Sequence, residues 1–400
     1  MDLSSGLPFW LIKSGLPYDY ADLCKDEKAD VAILGGGISG ALAAWYLAKE
    51  GVSCIVLDRR TIGLGSTCAS TAMLQYEIDT PLHVLQHKVG LQNAVKSYKL
   101  CSEAIDSLIG IAKKIKFTDI ERRESLYYSA SKKDVSFIER EYAIRSQHGF
   151  DVSLLDEPLT MEYAGISSPA AILSKQGAQT NAYLYTHSLL QDAAKHGAKI
   201  FDRTPIKKIT HQKKEVLLTA ENGCTIKAKT LVYANGYEAV NYIGQKIVDL
   251  HSTYALCTEQ GNAGDAPFKS KCILWNTADP YLYMRTTSDN RILIGGRDEK
   301  FYNPTKRDKL LDKKNRLLSN DFKKLYPDVE FKPEFSWCGT FGATKDGLPY
   351  IGPYKKLANS FFALGFGGNG ITFSLIAAEI LKYTITGKKH SAEKLFAFDR

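Results

Sequence analysis

The feature that most constrains this fold is a strand, a glycine-rich turn, a helix and a second strand within about 30 residues. Residues 30–34 read Asp-Val-Ala-Ile-Leu, a short apolar run typical of a strand that is buried on both faces. Gly-Gly-Gly-Ile-Ser-Gly follows at residues 35–40, and residues 41–50 are rich in helix-forming amino acids. Residues 53–57 are again apolar and end at Asp58. This pattern predicts a parallel β-α-β unit, and with it an α/β fold.

The glycine spacing in the turn is typical of a dinucleotide-binding site. Gly35 permits a tight turn, Gly37 lets backbone amides approach a pyrophosphate, and Gly40 allows close packing of helix and strand. The amides and the dipole at the start of the helix favour phosphate groups. Asp58 lies 21 residues after Gly37, where a carboxylate can accept hydrogen bonds from ribose hydroxyls. This acid disfavours a 2′-phosphate, although the two arginines that follow it leave that possibility open.

A second glycine-rich loop lies more than 300 residues further along the chain. Residues 365–370 read Gly-Phe-Gly-Gly-Asn-Gly, and residues 371–384 form a predicted apolar helix. The dipole of that helix suits another site of negative charge, and a reduced flavin develops one at its N1–C2 carbonyl edge. Residues 231–236 form an apolar strand that ends in Ala-Asn-Gly, a small turn-forming group. The second half of the chain therefore favours FAD as the dinucleotide.

Between these motifs the sequence predicts alternating helices and short strands. The predicted helices are residues 91–116, 132–148, 181–196 and 306–326. The predicted strands are residues 125–129, 151–155, 199–201, 206–211, 215–220, 224–228 and 230–234, with a further β-rich region at 247–294. The short strands that follow the helix at 181–196 predict a small antiparallel layer rather than another β-α-β unit.

Composition excludes several other classes of protein. Hydrophobic residues make up 44% and charged residues 24%, which argues against a disordered chain. The eight cysteines lie far apart and form no C-x-x-C pair, so neither a disulfide scaffold nor a metal site is predicted. The net charge of +8 is compatible with an anionic ligand, but acids are interleaved with the lysines and we expect no nucleic-acid partner. Because the apolar runs span only 6 to 8 residues, we expect a cytoplasmic protein without a transmembrane segment.

Taken together, the motifs resemble the FAD-dependent D-amino-acid-oxidase family, which includes glycine oxidases, sarcosine oxidases and related amine dehydrogenases. The resemblance rests on the two glycine loops and on four further motifs that follow in the family's order. These are Asp58-Arg59, Gly-Ser-Thr-Cys-Ala-Ser-Thr-Ala-Met-Leu at 65–74, Ala-Asn-Gly at 234–236, and Thr-Lys-Asp-Gly-Leu-Pro-Tyr-Ile-Gly-Pro at 344–353. Together they cover nearly the whole chain, but they do not identify the substrate.

The resemblance implies an α/β fold of the glutathione-reductase and amino-acid-oxidase type. A Rossmann-type FAD-binding domain would be joined to an α+β substrate domain with an antiparallel sheet. The FAD-binding domain would be discontinuous and would comprise residues 1–80, 165–245 and 335–400. Residues 81–164 and 246–334 would form the substrate domain above the flavin.

The resemblance also implies which residues contact FAD. Asp58 would hold the adenosine ribose, Ser66 and Thr67 would meet the phosphates, and the backbone of Ile206 would meet adenine. The full predicted set is Gly35, Gly37, Ile38, Ser39, Gly40, Asp58, Arg59, Gly65, Ser66, Thr67, Ala72, Met73, Leu74, Ile206, Ala234, Asn235, Gly236, Gly367, Gly368, Asn369, Gly370, Ile371 and Thr372. Cys338 stands one residue away from the family's covalent flavin attachment site, so we expect non-covalent FAD.

One departure from the family pattern concerns the substrate carboxylate. Glycine and D-amino-acid oxidases carry an arginine that clamps this group in a fork, and Phe341 occupies its position here. Either the substrate has no carboxylate at that point, or another cation binds it. Arg285 and Arg297 are the two candidates.

Two further departures concern the flavin itself. Sarcosine-oxidase-type members carry a lysine beside the flavin that favours reaction with oxygen, and Leu293 occupies that position. This favours a dehydrogenase that passes electrons to a quinone or carrier, although O2 stays open as the acceptor. The histidine common in the second glycine loop is Phe366 here, which makes the flavin edge less polar.

The implied reaction is oxidation of a C–N bond in a small amine or amino acid, by hydride transfer to flavin N5. It requires no side chain as an essential acid or base. The candidates for the substrate pocket are Arg285, Arg297, His251, Tyr254 and Tyr283.

Two alternatives to this function stay open. An FAD-dependent dehydrogenase of a 2-hydroxy acid or a glycerol-3-phosphate-like alcohol would need an essential histidine, and a flavin-bearing RNA-modifying or RNA-binding protein would need a concentrated basic stripe.

Overall fold

The computed structural model describes residues 1–261 and 270–400, and its strands form two large sheets and one small sheet. Within the described residues the strands, in chain order, are β1 (Ser4–Gly6), β2 (Glu27–Leu34), β3 (Cys54–Leu57), β4 (Met73–Gln75), β5 (Ile120–Arg122), β6 (Ser125–Tyr128), β7 (Val152–Asp156), β8 (Ala170–Ser174), β9 (Gly177–Thr180), β10 (Lys199–Phe201), β11 (Ile206–His211), β12 (Val216–Ala220), β13 (Thr225–Tyr233), β14 (Val248–Thr258), β15 (Ile273–Asn276), β16 (Tyr283–Thr286), β17 (Ile292–Glu299), β18 (Pro333–Thr344), β19 (Tyr350–Pro353) and β20 (Ser360–Leu364).

The helices flank these sheets. In chain order they are α1 (Phe9–Ser14), α2 (Ile38–Lys49), α3 (Leu82–Val89), α4 (Leu91–Lys114), α5 (Val135–Gln147), α6 (Glu157–Ala164), α7 (Ala182–Lys195), α8 (Pro304–Lys309), α9 (Leu311–Leu325) and α10 (Gly370–Ile385), with short 3₁₀ turns at Lys132–Asp134 and Gly236–Tyr242. In the part of the chain that the structure describes, none of them combines the length and the apolar character that crossing a bilayer requires.

The first sheet contains the predicted β-α-β unit. Its strands follow the order β10-β3-β2-β13-β12-β11, and β20 joins β13 while carrying β19. The central strand β2 runs parallel to β3 and to β13, with Leu34 beside both Leu57 and Tyr233. Residues in the middle of β2 are almost fully buried, which explains why its sequence is an unbroken apolar run. Strands β11, β12 and β13 form the antiparallel layer that the sequence predicts.

The second sheet is mostly antiparallel and has nine strands among the described residues. Their order is β1-β18-β14-β17-β16-β15-β6-β8-β7, and the pair β15–β6 is parallel. Helix α9 covers one face, where Leu318 and Phe322 are buried in a cluster with Met284 and Ile294. The predicted charged helix is therefore an amphipathic one whose lysines lie mainly on its outer face.

A small sheet, β4-β9-β5, lies beside a helical core. Helix α2 packs against α7 and α10, and residues of α4 belong to the same buried cluster. The hydroxyls of Ser39 and Ser374 lie 2.7 Å apart, so the starts of α2 and α10 are in contact. The two glycine loops, distant in the sequence, therefore lead into neighbouring helices.

The α/β fold class is confirmed, but strand pairing departs from the predicted domain division at three places. Strands β1, β8 and β18 all pair within the second sheet, although the prediction assigns most of these residues to the FAD-binding domain. Apolar alternation shows that a strand is half-buried, but it carries no information about which sheet the strand joins. The division otherwise stays a prediction, and the part of the predicted β-rich region at 262–269 lies outside the described residues.

Candidate active site

A cavity of about 420 Å³ is lined by residues of both large sheets. The first sheet and its loops contribute Gly35, Asp58 and Ala234, and the second sheet contributes Tyr283 and Asp298. The lining contains the turn after β2 as well as the loop before α10. The cavity therefore meets both of the glycine loops that the sequence singles out.

The first glycine loop has the close contacts that the sequence predicts. A Cβ added to Gly35 would lie 2.5 Å from the carbonyl oxygen of Ala234, and one added to Gly40 would lie 1.8 Å from the carbonyl oxygen of Gly35. Side chains at these positions would therefore separate α2 from the sheet. Gly35 also has a φ of 112°, in the region that favours glycine.

Asp58 stands at the end of β3 and fixes the turn as well as lining the cavity. Its Oδ2 accepts a hydrogen bond from the amide of Gly36 at 2.7 Å, and its Oδ1 accepts one from the amide of Arg60 at 2.8 Å. Burial raises the pKa of this carboxyl, and the two amides oppose that effect. Asp58 thus reaches the cavity from a position fixed by the backbone.

Polar atoms without protein partners mark the same end of the cavity. The Ser66 hydroxyl and the Asn235 side-chain oxygen are buried, and neither has a hydrogen-bond partner among the described residues. Thr67 accepts from the amide of Ile38 at 3.1 Å, which ties this loop to the first turn of α2. Buried polar atoms of this kind are normally satisfied, so their position indicates a polar ligand. The hydroxyls and phosphates of a dinucleotide fit the polar groups of this region.

The second glycine loop packs against residues that follow β4. The amide of Gly368 donates to Oδ2 of Asp79 at 2.7 Å, and the Asn369 side chain donates to the carbonyl oxygens of Gln75 and Glu77 at 3.1 and 2.7 Å. A Cβ on Gly367 would lie 2.5 Å from the Asp79 carboxylate. This loop is therefore held close to the segment that the resemblance places beside the isoalloxazine.

Most of the predicted FAD contacts line this one cavity. They are Gly35, Gly37, Ile38, Ser39, Asp58, Arg59, Gly65, Ser66, Thr67, Ala72, Met73, Ile206, Ala234, Asn235, Gly236, Gly367, Gly368, Gly370 and Ile371. Four predicted contacts do not line it: Gly40 packs on Gly35, Leu74 is buried in the core, Thr372 donates to the carbonyl of Asn369, and Asn369 faces an adjoining chamber. These four residues pack next to residues that line the cavity. The roles of the individual residues toward FAD stay predictions.

Of the five candidates for the substrate pocket, Tyr254 and Tyr283 line the cavity. His251 does not line it and packs edge-on against Phe341, with ring centroids 5.3 Å apart. Burial lowers the pKa of His251 below its ordinary value. Phe341, at the position of the family's clamping arginine, lines the cavity.

The expectation that Arg285 or Arg297 clamps a substrate carboxylate stays a prediction, and the structure shows which groups both side chains contact. Arg285 is 2% exposed and donates to the carbonyl oxygens of Thr71 at 2.8 Å and Thr180 at 3.0 Å. Arg297 forms an ion pair with Asp321. Neither arginine lines the cavity. Thr71 does line it, so Arg285 positions a wall of the cavity from behind.

The structure also locates the other departures from the family pattern. Leu293 is fully buried and does not line the cavity, whereas Phe366 does. The Cys338 thiol also lies outside the lining and contacts the backbone oxygen of Ser5 at 3.7 Å. This placement supports the expectation of non-covalent FAD, which stays a prediction.

Sequence reasoning missed the acidic residues at the end of the cavity where the isoalloxazine is predicted. Asp298 lies near the end of β17 and lines the cavity, and its Oδ1 has no hydrogen-bond partner among the described residues. Burial raises its pKa to about 7, and the charge of Asp79 contributes to that rise while the Thr253 hydroxyl and Lys314 oppose it. Tyr281 donates to the Asp79 carboxylate at 3.4 Å. The available signal was an acid that stands two residues after the glycine pair of the apolar strand.

Comparison with known proteins identifies the family. The profile of the DAO family, described as FAD dependent oxidoreductase, matches residues 30–384. The chain belongs to this family. Relatives of this chain include glycine oxidase from Geobacillus kaustophilus, which is 27% identical over 93% of this chain and 96% of the relative. Gamma-glutamylputrescine oxidoreductase from Escherichia coli is 23% identical over 96% of this chain and 88% of the relative.

Solved structures confirm the fold of this DAO-family enzyme. Glycine oxidase from Geobacillus kaustophilus superposes with a TM-score of 0.77 at 20% identity, over 91% of this chain and 96% of that one. L-proline dehydrogenase from P. horikoshii gives a TM-score of 0.78 at 20% identity, over 93% and 97%. The protein is thus an FAD-dependent oxidoreductase, as the sequence predicts, and FAD is its cofactor.

Proposed function

We propose that this enzyme oxidises a C–N bond of a small amine, and that its reacting end takes amines in preference to amino acids. One observation carries the proposal: the flavin end of the cavity presents the carboxyl of Asp298, close to Asp79. Among the described lining residues, the cationic side chains are Arg59 and Arg60, and both flank Asp58 at the opposite end. A carboxylate at the flavin end would have no counter-charge, whereas an ammonium group would have one.

Aromatic residues strengthen this preference. Tyr281 and Tyr283 both line the cavity, with ring centroids 5.6 Å apart. Aromatic faces attract cations, and the attraction increases when water is excluded. The names of two relatives, glycine oxidase and gamma-glutamylputrescine oxidoreductase, support oxidation of a C–N bond, since one names an amino acid and the other an amine.

The chemistry requires a neutral amine at the moment of oxidation. FAD, when bound, supplies the two-electron acceptor: the α-carbon gives up a hydride, the nitrogen gives up a proton, and the resulting C=N bond is hydrolysed by water. The ionised Asp298 carboxylate takes a proton from the bound ammonium group, because its pKa near neutrality lets it exist in both forms. Tyr283 and Thr253 flank this position, with their hydroxyls 3.4 Å apart.

The alcohol alternative finds no support in the lining. Removal of a hydroxyl proton calls for a base such as histidine. Among the described residues, neither the cavity nor the chamber beside it is lined by a histidine. The choice between O2 and a quinone or carrier as electron acceptor, and the absence of a nucleic-acid partner, stay predictions.

The proposal is tested by anaerobic mixing of the holoenzyme with a substrate panel while the flavin absorbance is followed. The panel contains primary and N-methyl amines, the amino acids that bear the same side chains, 2-hydroxy acids and glycerol 3-phosphate. We expect amines to bleach the flavin faster than their carboxylated counterparts. Bleaching by hydroxy acids or glycerol 3-phosphate, with no response to any amine, would overturn the proposal.

A further inference from the structure

A second chamber, of about 240 Å³, adjoins the main cavity. The two share the lining residues Met73, Gln75, Tyr281 and Gly368. These residues lie at the flavin end, because Met73 and Gly368 belong to the two loops predicted to contact the isoalloxazine. A substrate that reacts at the flavin can therefore extend into this chamber.

The chamber is lined by acidic residues. Glu77, Asp79 and Asp279 line it, and no lysine, arginine or histidine does so among the described residues. Asp279 forms an exposed ion pair with Lys300, and this lysine largely compensates the charge of Asp279. The Asp79 side chain is accessible to solvent, yet burial raises the pKa of its carboxyl. Both are expected of a carboxyl that faces an enclosed space.

Glu77 is the most unusual of the three acids. It is 4% exposed, and its Oε2 has no hydrogen-bond partner among the described residues. Its Oε1 lies 3.4 Å from the Arg145 guanidinium, but Arg145 makes a shorter pair with Glu141, at 2.7 Å. Although burial raises the pKa of Glu141, contacts with Arg145 and His83 lower it to about 2. One guanidinium thus faces two carboxyls, and Glu77 is left incompletely paired.

The remaining wall of the chamber is aromatic. Tyr127 and Trp275 stack with ring centroids 3.7 Å apart, and Tyr281 meets Trp275 edge-on at 6.5 Å. Phe137 completes this wall. Carboxylates together with aromatic faces form the kind of site that binds organic ammonium groups.

We propose that the second chamber binds a second cationic group of the substrate, so that the enzyme acts on terminal diamines or longer polyamine-like dications. One ammonium group lies at Asp298 and is oxidised, while the other occupies the chamber between Asp79, Glu77 and the aromatic wall. The inference rests on the proposed function, because it assumes that an amine is oxidised at the flavin end. It adds a specificity site that the reaction itself does not require.

The test compares terminal diamines of three to six methylene groups with monoamines of equal length. The ratio of kcat/KM for diamine over monoamine should reach about tenfold or more at the best length, since tenfold corresponds to about 1.4 kcal/mol of added binding. Dissociation constants from the shift of the flavin spectrum on mixing provide a second readout, which does not depend on turnover. A ratio near one at every length, by both readouts, would overturn the inference and leave amine oxidation standing.

Two variants assign the effect to the chamber. Asp79→Asn keeps an acceptor for the amide of Gly368 but removes the charge, and it should reduce the diamine preference severalfold. Trp275→Leu, which removes the indole ring from the aromatic wall, should also reduce the diamine preference severalfold. It is the variant to use if Asp79→Asn is purified without flavin. Asp312→Asn, which removes an exposed charge on α9, is the control and should keep the wild-type ratio. An unchanged ratio in both chamber variants would refute the assignment, whereas failure of every amine to reduce the flavin would refute the proposed function itself.

Discussion

Asp298 is the residue on which the proposed chemistry most directly depends. It is enclosed by Thr253 and by two tyrosines, with Asp79 and Asp279 adding negative charge and Lys314 adding positive charge. Burial is the largest influence and, together with these groups, raises its pKa to about 7, far above the ordinary 3.8. A perturbed carboxyl in a ligand cavity is a recognised indicator of function.

The pH dependence of catalysis tests this role. Because its pKa is raised, the Asp298 carboxyl is neutral below about pH 7 and ionised above it. The kcat/KM for an amine should therefore fall as the pH drops through about 7, since kcat/KM reports groups of the free enzyme. Asp298→Asn should lower kcat/KM by about 10²-fold or more above pH 7 and abolish this limb, so that the variant depends on substrate whose amine is already neutral. Persistence of the limb in the variant would assign it to another group.

Arg285 offers a second test at the same scale. Since its guanidinium binds the carbonyls of Thr71 and Thr180, Arg285→Met should disturb the cavity wall without removing a carboxylate clamp. Inhibition of amine oxidation by a carboxylic acid and by its amide should weaken by the same factor. The measurement is the ratio of the two inhibition constants. A selective loss of inhibition by the acid would restore the clamp that the structure argues against.

Single residues were predicted from sequence to very different degrees. Positions such as Gly35 and Asp58 were found because backbone geometry allows few alternatives there. The contacts of Arg285 could not be predicted, because an arginine's residue type does not show whether its donors meet a ligand or backbone carbonyls. Asp298 and Asp79 were missed because their significance arises only when distant strands bring them together.

At the scale of elements, α2 can pack closely on β2 only because residue 40, a glycine, has no side chain. Gly40→Ala would place a Cβ 1.8 Å from the carbonyl oxygen of Gly35, so the helix must shift away from the strand. We expect this variant to be purified with little or no flavin, as measured by the ratio of flavin to protein absorbance.

Gly110 provides the matched control. It lies within α4, and an added Cβ there would have nothing within 4 Å. Gly110→Ala should retain flavin and gain about 0.5–1 kcal/mol in the free energy of unfolding, because alanine is the better helix former. Normal flavin content in Gly40→Ala would contradict the packing argument.

The elements themselves were largely predictable, but their partners were not. Local apolar patterns predicted the bounds of β2, β3 and α10 to within a few residues, because the signals for burial and capping lie in the nearby sequence. The membership of β8 and β18 in the second sheet depends on long-range pairing, which leaves no local signal. Residues 224–234, expected as two strands, are largely one continuous strand, β13, whose two halves meet different neighbours.

At the scale of the whole molecule, the cofactor cavity joins the two large sheets. A ligand that contacts both should stabilise them together, since binding only to the folded state adds RT ln(1 + [L]/Kd). Removal of FAD should lower the Tm, and free FAD at about 100 times its Kd should restore about 2.7 kcal/mol of stability. Calorimetry of the apoprotein and of the reconstituted enzyme provides the measurement. A Tm that is independent of FAD would contradict a cofactor site shared by both sheets.

The contact between the starts of α2 and α10, made by Ser39 and Ser374, has a consequence for how the enzyme matures. During synthesis the first glycine loop leaves the ribosome long before the second is translated, so a nascent chain has only part of the cofactor site. Contacts so distant in sequence form late and are costly in chain entropy. Stable loading of the cofactor must therefore wait until α10 has been translated, and a chain interrupted shortly before α10 would leave the ribosome without flavin.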